Sequence, residues 1–309
     1  MKIFNSINDF ICSKKTILTL GTFDGVHIGH RKILEKVTQN TESDTTESLV
    51  LTFFPHPRMV LQGQSDVKLL NTIGEKIDLL ETLGVQNLVI HPFDEVFSKL
   101  TAEEFVKTVL VEQFHIQKII IGHDHRFGRN RTANIDDLIA FGKQYDFEVE
   151  QISVQEIKEV SISSTKIRNA LTEGNMALAN DYLGYEYFLT GTVSKGKQLG
   201  RTIGFPTANL MIEKNDKLIP QNGVYVVKSI INQKTVFGMM NIGFNPTVAG
   251  EKLSVEVHYF DFDADLYDQK IRVFILEYLR AEQKFSSVPL LKEQLEKDKD
   301  AAWTYIKNL

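Results

Sequence analysis

The feature that most restricts the fold of this chain is a change in the spacing of its apolar residues near residue 184. From residue 16 to about residue 153, short β-branched runs alternate with longer stretches of helical period, the arrangement that builds a parallel sheet with helices packed on it. TILTLG (16–21), SLVLTF (48–53), NLVIHPF (87–93), KIIIGHD (118–124) and FEVEQIS (147–153) read as strands, because central parallel strands are near-continuous apolar runs. Between Thr72 and Leu83 the residues Ile73, Ile77, Leu80 and Leu83 fall on one helical face, and Gly84 closes the helix. Thr101 and Glu104 have the spacing of a capping box. Residues 41–48, TESDTTES, are polar and without period, so they read as a loop, and a last helical stretch runs from Thr165 to about Leu183. Beyond it strand follows strand: YFLTGTVSKG, GVYVVKSIINQKTVFGMMNI, KLSVEVHYFDF and KIRVFILEYL, separated by Gly, Asn, Asp and Pro. That grammar predicts a small antiparallel β-barrel. An amphipathic helix over Val288–Lys307, with Leu291, Leu295, Ala302, Trp303 and Ile306 on its apolar face, is expected to cover it. The expected fold is therefore α/β: a parallel-sheet domain over residues 1–183, then a barrel domain with a C-terminal helix over 184–309.

Composition narrows the function. A chain of 309 residues, 42% hydrophobic and 24% charged, has material for two cores. Its formal net charge of -5, with Lys and Arg scattered, gives no footprint for nucleic acid, so small molecules are the expected partners. The single cysteine, Cys12, excludes an internal disulfide framework and a metal-thiolate cluster and fits a reducing compartment. It reads as an apolar filler. MKIFNSINDFIC is interrupted by polar residues, and 18 apolar residues never run together, so a cytoplasmic protein with no membrane partner is expected.

The first strand runs into GTFDGVHIGH (21–30), and RKILEKV continues with helical period, which puts His27 and His30 on one side of a helix's first turn. Gly21, Gly25 and Gly29 permit close backbone approach, and the free N–H groups of a helix start attract phosphate. With Phe23 and Asp24 of the same turn, these are candidate nucleotide contacts. Two imidazoles there can donate hydrogen bonds to a triphosphate as charge develops. The segment has neither GxGxxG spacing nor a following Gly-Lys-Ser/Thr, and taken alone it is equally a glycine-rich turn with two solvated histidines. A second element, SISSTKIR (161–168), follows the fifth strand: Ser163, Ser164 and Thr165 can cap a helix while Lys166 and Arg168 offer cations.

Together the two motifs resemble the nucleotidyltransferase superfamily, which joins a nucleotide to a phosphate-bearing acceptor and releases pyrophosphate. FFPHPR (53–58), LLNTIGEKIDLLETLGV (69–85), FSKLTAEEFV (97–106) and IIIGHDHRFGRNR (119–131) resemble the FAD synthetase module of bacterial bifunctional riboflavin kinase/FAD synthetases. His125 stands where that family usually has Phe, and Thr132 with Ala133 where a small residue followed by Gly is common. The resemblance implies a Rossmann-like nucleotidyltransferase domain in which the FMN phosphate attacks the α-phosphorus of MgATP in line, so the protein's task is positioning and charge stabilisation. It gives His27 and His30 the transition-state contacts, Ser163, Ser164, Thr165 and Arg168 the departing pyrophosphate, and Asp124, Arg126 and Phe127 the flavin side.

The richest segment of the β-rich half is GTVSKGKQLGRTIGFPTANL (191–210). By composition it is a basic Gly-rich hairpin loop; its backbone N–H groups, around Gly196, Lys197, Gly200, Arg201, Gly204 and Pro206, also suit phosphates. In an extended backbone Thr207 and Asn209 point to the same side and offer two oxygens that a hard cation such as magnesium accepts. In SVEVH, Val255 and Val257 face one way and Glu256 the other. Asp261, Asp263 and Asp265 do not form a calcium loop, since Leu266 stands at the sixth position and Arg272 at the twelfth. GKQLGRTIGFPTAN, NGVYVV (222–227), NIGFNPTV (241–248), VEVHYFDFDADLYD and LRAEQKF resemble the riboflavin kinase module from about residue 185 onward. By that likeness Thr207 and Asn209 bind magnesium and ATP phosphates, Glu256 is the base that deprotonates the riboflavin 5′-hydroxyl, Arg201 steadies the phosphates and Arg280 lies near the flavin. The implied substrates and products are ATP, riboflavin, FMN and FAD, with Mg2+. Three other readings compete: a nucleotidyltransferase for another phosphate-bearing acceptor, a flavin-binding regulator without catalysis, and a plain scaffold.

Overall fold

The computed structural model describes residues 1–41, 44–61, 67–122, 126–152, 162–196, 199–212, 216–247 and 250–309. They form two compact units, Met1–Ser164 and Thr165–Leu309.

The first unit is built on a six-stranded sheet of β1 (Lys2–Phe4), β2 (Lys15–Leu20), β3 (Thr46–Phe53), β4 (Asn87–His91), β5 (Ile116–Gly122) and β6 (Glu148–Ile152), in the order β1-β4-β3-β2-β5-β6. Every strand pair is parallel. Both faces are buried, which is why the strands read as unbroken apolar runs. Leu18, Leu49, Leu51, Ile119 and Ile121 pack on one side with Phe105, Val109 and Phe114; Ile17 and Ile120 face the other side with Ile33 and Val37 of the Ile28–Gln39 helix. The chain winds outward from β2 towards β3 and β4, then returns to add β5 and β6 on the opposite side. The carboxyl end of β2 is therefore the switch point, where open α/β sheets leave a crevice.

Three expectations are corrected here. Residues 41–48 are not all loop, because β3 starts at Thr46: Thr46 and Ser48 are buried, and Gln86 satisfies the polar strand by accepting from Ser48 N at 2.7 Å and donating its own N–H to Ser48 Oγ at 2.9 Å. The Ile73–Thr82 helix has the capping box of Thr72 and Glu75, but its buried residues are Glu75, Lys76, Leu79 and Leu80, so the inward face is rotated from the apolar stripe. The helical stretch after residue 164 is two helices, Ser164–Thr172 and Met176–Leu183, parted at Gly174 (φ +74°), with Asn175 capping the second. The capping box of Thr101 and Glu104 forms as expected and starts a helix that continues as a π-helix over Phe105–Gln113.

The second unit carries those two helices and a closed barrel of β7 (Phe188–Ser194), β8 (Ala208–Met211), β9 (Gly223–Ile231), β10 (Lys234–Thr247), β11 (Gly250–Tyr259) and β12 (Lys270–Arg280), in the order β10-β11-β8-β7-β12-β9. All its pairs are antiparallel. The Met176–Leu183 helix is tied to it by Asn180, which donates to Ile275 O at 3.1 Å and accepts from Tyr187 N at 2.7 Å. The Val288–Ile306 helix lies against the outer wall: Ala302, Leu295, Trp303 and Ile306 pack on Phe205, Val224, Val226, Met239 and Phe260. Trp303 stacks on Phe260 with centroids 5.3 Å apart.

Thr72→Ala removes half of the capping box behind the β2 turn. It is expected to cost the first unit about 1 kcal/mol, read as a lower urea midpoint at unchanged slope; an unmoved midpoint would show that the cap is dispensable.

Candidate active sites

At the carboxyl end of β2 the chain makes a turn that ordinary residues resist. Phe23 (φ +45°), Gly25 (φ +91°) and Val26 (φ +37°) all lie in the left-handed region, a strain retained only where surroundings enforce it. Hydrogen bonds to three distant segments do so. Lys76 Nζ donates to Thr22 O at 2.7 Å, Asp24 Oδ1 accepts from Leu70 N at 2.9 Å, and Ser164 Oγ donates to Asp24 O at 2.9 Å. The last bond ties Ser164, the first residue of the Ser164–Thr172 helix and a member of the second predicted phosphate motif, to the turn. Asp24 is buried, and its carboxylate serves the turn through the Leu70 backbone.

His27 caps the Ile28–Gln39 helix, its Nδ1 accepting from His30 N at 3.4 Å. The two imidazoles stack with centroids 3.6 Å apart and planes 18° apart, and Phe23 meets His30 edge-on at 5.3 Å. His30 Nδ1 is sealed from solvent with no hydrogen-bond partner among the described residues, an orphaned polar atom of the kind a ligand oxygen satisfies. Burial holds the His30 pKa well below the ordinary imidazole value, with the neighbouring His27 and Lys76 pushing the same way. Burial likewise lowers the Lys76 ammonium, against the pull of Asp24. Lys76 is the residue that sequence reasoning missed. Its signal was a lysine three residues after Ile73 and four before Leu80, inside the apolar stripe.

Of the residues expected to meet the flavin, Asp124 lies outside the described residues, Arg126 is exposed, and Phe127 is a core residue against Phe105 at 6.1 Å. Phe127 thus supports the turn from within, closed by paired backbone bonds to Ala133 at 3.2 Å.

In the second unit, register across three strands assembles the other site. Asn209 of β8, Glu256 of β11 and Asn241 of β10 are direct cross-strand partners, so they form one row on one face. Val255 and Val257 are buried on the opposite face, as the alternation required. Thr207 Oγ1 donates to Glu256 Oε2 at 3.2 Å. Glu256 and Asn241 of the row open into a cavity of about 260 Å³ between the barrel wall and the C-terminal helix, lined also by Thr207, His258, Leu291 and Leu295 among others. A Cβ at Gly196 would overlap the Asn209 carboxamide, so the glycine-rich loop lies directly over the PTAN strand. Gly204 (φ +88°) turns the chain from the short Leu199–Thr202 helix into Phe205 and Pro206; Arg201 on that helix is exposed, and Lys197 lies outside the described residues. Arg280 lines the cavity, but its guanidinium is held by Asp298 of the C-terminal helix, Nε to Oδ1 at 2.8 Å and Nη2 to Oδ2 at 2.6 Å. That pair ties the end of β12 to the C-terminal helix. Asn241 and His258 were not singled out from sequence: pairing of β10 with β11 brings Asn241 to Glu256, and His258, two residues along β11 from Glu256, shows its partner Pro206 only in the fold.

A parallel sheet with a strained, imidazole-bearing turn at its switch point, joined to a barrel whose outer wall carries a glycine-rich loop and a Thr-Asn-Glu cluster, defines a two-module nucleotide-handling transferase. Residues 10–166 match the model of the FAD synthetase family and residues 183–306 that of the riboflavin kinase family. The chain is 38% identical over 303 residues to the bifunctional riboflavin kinase/FMN adenylyltransferase of Buchnera aphidicola subsp. Schizaphis graminum, covering 96% of each chain. It is 38% identical to the Bacillus subtilis enzyme of the same name over 96% of this chain and 94% of that one, and 37% identical to that of Escherichia coli K12 over 91% and 90%. The chain belongs to the family of bifunctional riboflavin kinase/FMN adenylyltransferases. It also superposes with a TM-score of 0.87, at 31% identity over 97% of both chains, on a crystal structure described as a macrolide-efflux protein from Streptococcus pneumoniae. Among the described residues, no helix is long and apolar enough to cross a membrane.

The depressed His30 pKa predicts a pH dependence. In the unfolded chain the imidazole takes a proton near its ordinary value of about 6.5, whereas in the folded turn it resists until well below that. The contribution is complete above about pH 6.5 and is lost as pH falls towards the folded value. The urea midpoint of the first unit is expected to drop between about pH 7.5 and 5.5, and His30→Asn to flatten that slope; equal slopes in the two proteins would contradict the assignment.

Proposed function

We propose that this chain phosphorylates riboflavin to FMN in its barrel module and adenylylates FMN to FAD in its parallel-sheet module, with the boundary between modules at residues 183/184. The start of the riboflavin kinase match at residue 183 supports that division, while the two helices before it pack with the barrel. The observation that carries the reading is the pairing of each family match with a built site: the stacked His27 and His30 in the first, the Asn209–Glu256–Asn241 row beneath Gly196 in the second.

In the kinase module, Glu256 accepts the proton of the riboflavin 5′-hydroxyl as that oxygen attacks the γ-phosphorus of ATP and ADP leaves. A positioned base of this kind contributes about 10²- to 10⁴-fold. Thr207 and Asn209 fit a magnesium ion that retains waters and ATP oxygens: both offer neutral oxygens on one side of an extended strand, next to a carboxylate, and the glycine at 196 lets the loop close on the Asn209 carboxamide. The metal would supply charge neutralisation on the transferring phosphoryl group. Gly200, Arg201, Gly204 and Pro206 border the phosphate path.

In the adenylyltransferase module, an FMN phosphate oxygen forms a bond to the α-phosphorus of ATP and the bond to pyrophosphate breaks. His27 and His30 donate hydrogen bonds to oxygens whose charge grows in the transition state, and the orphaned Nδ1 of His30 is an atom that gains a partner on nucleotide binding. Ser163, Ser164, Thr165 and Arg168 receive the pyrophosphate, and Asp124 and Arg126 the flavin. The single cysteine, half-buried and with its thiol pKa raised by burial, supports a cytoplasmic location and has no catalytic part.

Purified chain incubated with riboflavin, ATP and magnesium should yield FMN and then FAD on chromatography; FMN alone would remove the adenylyltransferase assignment. Glu256→Gln should abolish FMN formation and leave FMN-to-FAD conversion, while His30→Ala should do the reverse. Loss of both steps from either single substitution in a folded protein would overturn the division of labour.

A further inference from the structure

In the strand that presents Thr207 and Asn209, the segment ahead of Asn209 is poorly held by its own backbone, since β7 pairs with β8 only from Asn209 onward. β8 pairs with β11 only through Asn209↔Glu256 and Ala208↔Val257, and Pro206, which has no N–H, cannot extend the ladder. Side chains take over where pairing stops. Thr207 is tied to Glu256, as described, and Pro206 O lies 2.8 Å from Nδ1 of His258. Glu256 and His258 are two residues apart on β11 and share its outer face. A carbonyl oxygen can only accept, so the proton is on Nδ1. Burial lowers the His258 pKa, Lys299 of the C-terminal helix acting with it and Glu296 and the Pro206 bond against it, so the ring is neutral with Nε2 bare. Phe205, at 5.1 Å, and Phe260, at 5.8 Å, fix the ring's position.

The two ties differ in what becomes of them during phosphoryl transfer. On the kinase reading above, on which this inference rests, Thr207 must give its oxygen to the metal and Glu256 must receive a proton from the riboflavin hydroxyl. The Thr207–Glu256 bond is therefore surrendered when substrates bind. The bond from His258 to Pro206 uses no group that the reaction needs, and it persists. We propose that His258 is a positioning residue of the kinase site, whose Nδ1–H holds the Pro206 carbonyl and keeps Thr207 and Asn209 aimed at the nucleotide once Thr207 has released Glu256.

The test uses the full chain and two substitutions. His258→Phe keeps a ring between Phe205 and Phe260 but removes the donor; His258→Asn places an amide N–H close to where Nδ1 was. His258→Phe is expected to raise the KM for MgATP in FMN formation about five- to tenfold, the value of one lost hydrogen bond. The KM for riboflavin should stay within about twofold, and His258→Asn should recover most of the loss. Conversion of FMN to FAD should be unaffected in both. An unchanged MgATP KM in His258→Phe, a parallel rise for both substrates, or no recovery in His258→Asn would overturn the role. Independently of turnover, 15N NMR of the imidazole in the unliganded protein should show the Nδ1–H tautomer of His258, and the Nε2–H tautomer would overturn it. A wild-type chain that makes no FMN would sink the kinase reading and this role with it; a wild type that makes FMN, beside a His258→Phe variant that binds MgATP normally, would sink this role alone.

Discussion

A polyphosphate can be held against a reacting oxygen only where the main chain comes close without side chains in the way, and that happens where a strand stops pairing. Both candidate sites obey this constraint. β2 stops at Leu20 and gives way to a turn with three left-handed residues; β8 is preceded by Pro206, which ends its ladder. Free backbone groups are then available to a ligand, but the segment that bears them has lost the hydrogen bonds that fixed it. The chain replaces them with single, well-aimed side-chain bonds from distant sequence: Lys76, Leu70 and Ser164 to the first turn, Glu256 and His258 to the second.

The electrostatic character of the two sites differs in a way that suits two chemistries. The first buries a neutral histidine near a buried lysine, with the Asp24 carboxylate there already satisfied by backbone N–H. Such a site stabilises charge without moving a proton, as joining two phosphate groups requires. The second has a carboxylate at its centre, flanked by neutral Asn and Thr oxygens. An alcohol must lose a proton as it attacks, and Glu256 can receive it.

Much of this was legible in the sequence because it is local. The change from helix-and-strand alternation to strand-after-strand marked two architectures, GTFDGVHIGH lay where a strand becomes a helix, and PTAN was an extended segment with both oxygens to one side. What escaped was either too short to have a period or dependent on register. β1 is three residues long and is recognisable only by pairing with β4, more than eighty residues away. Thr46 and Ser48 look like loop until β3 is seen to bury both, with Gln86 satisfying Ser48. Asn241 joins Glu256 through antiparallel pairing of β10 with β11, and His258 meets Pro206 across a ladder that has already ended. Lys76 was visible as a charge in an apolar stripe, but its purpose was not, since Thr22 lies fifty-four residues before it.

The central claim is that one chain uses two different phosphorus atoms of ATP on one flavin. Supplying riboflavin with ATP labelled at either the γ- or the α-phosphorus, and following the label into separated flavins, measures this directly. The γ-label should appear in FMN and be carried on into FAD, whereas the α-label should be absent from FMN and appear in FAD. Label from the α-position in FMN, or FAD lacking either label, would contradict it.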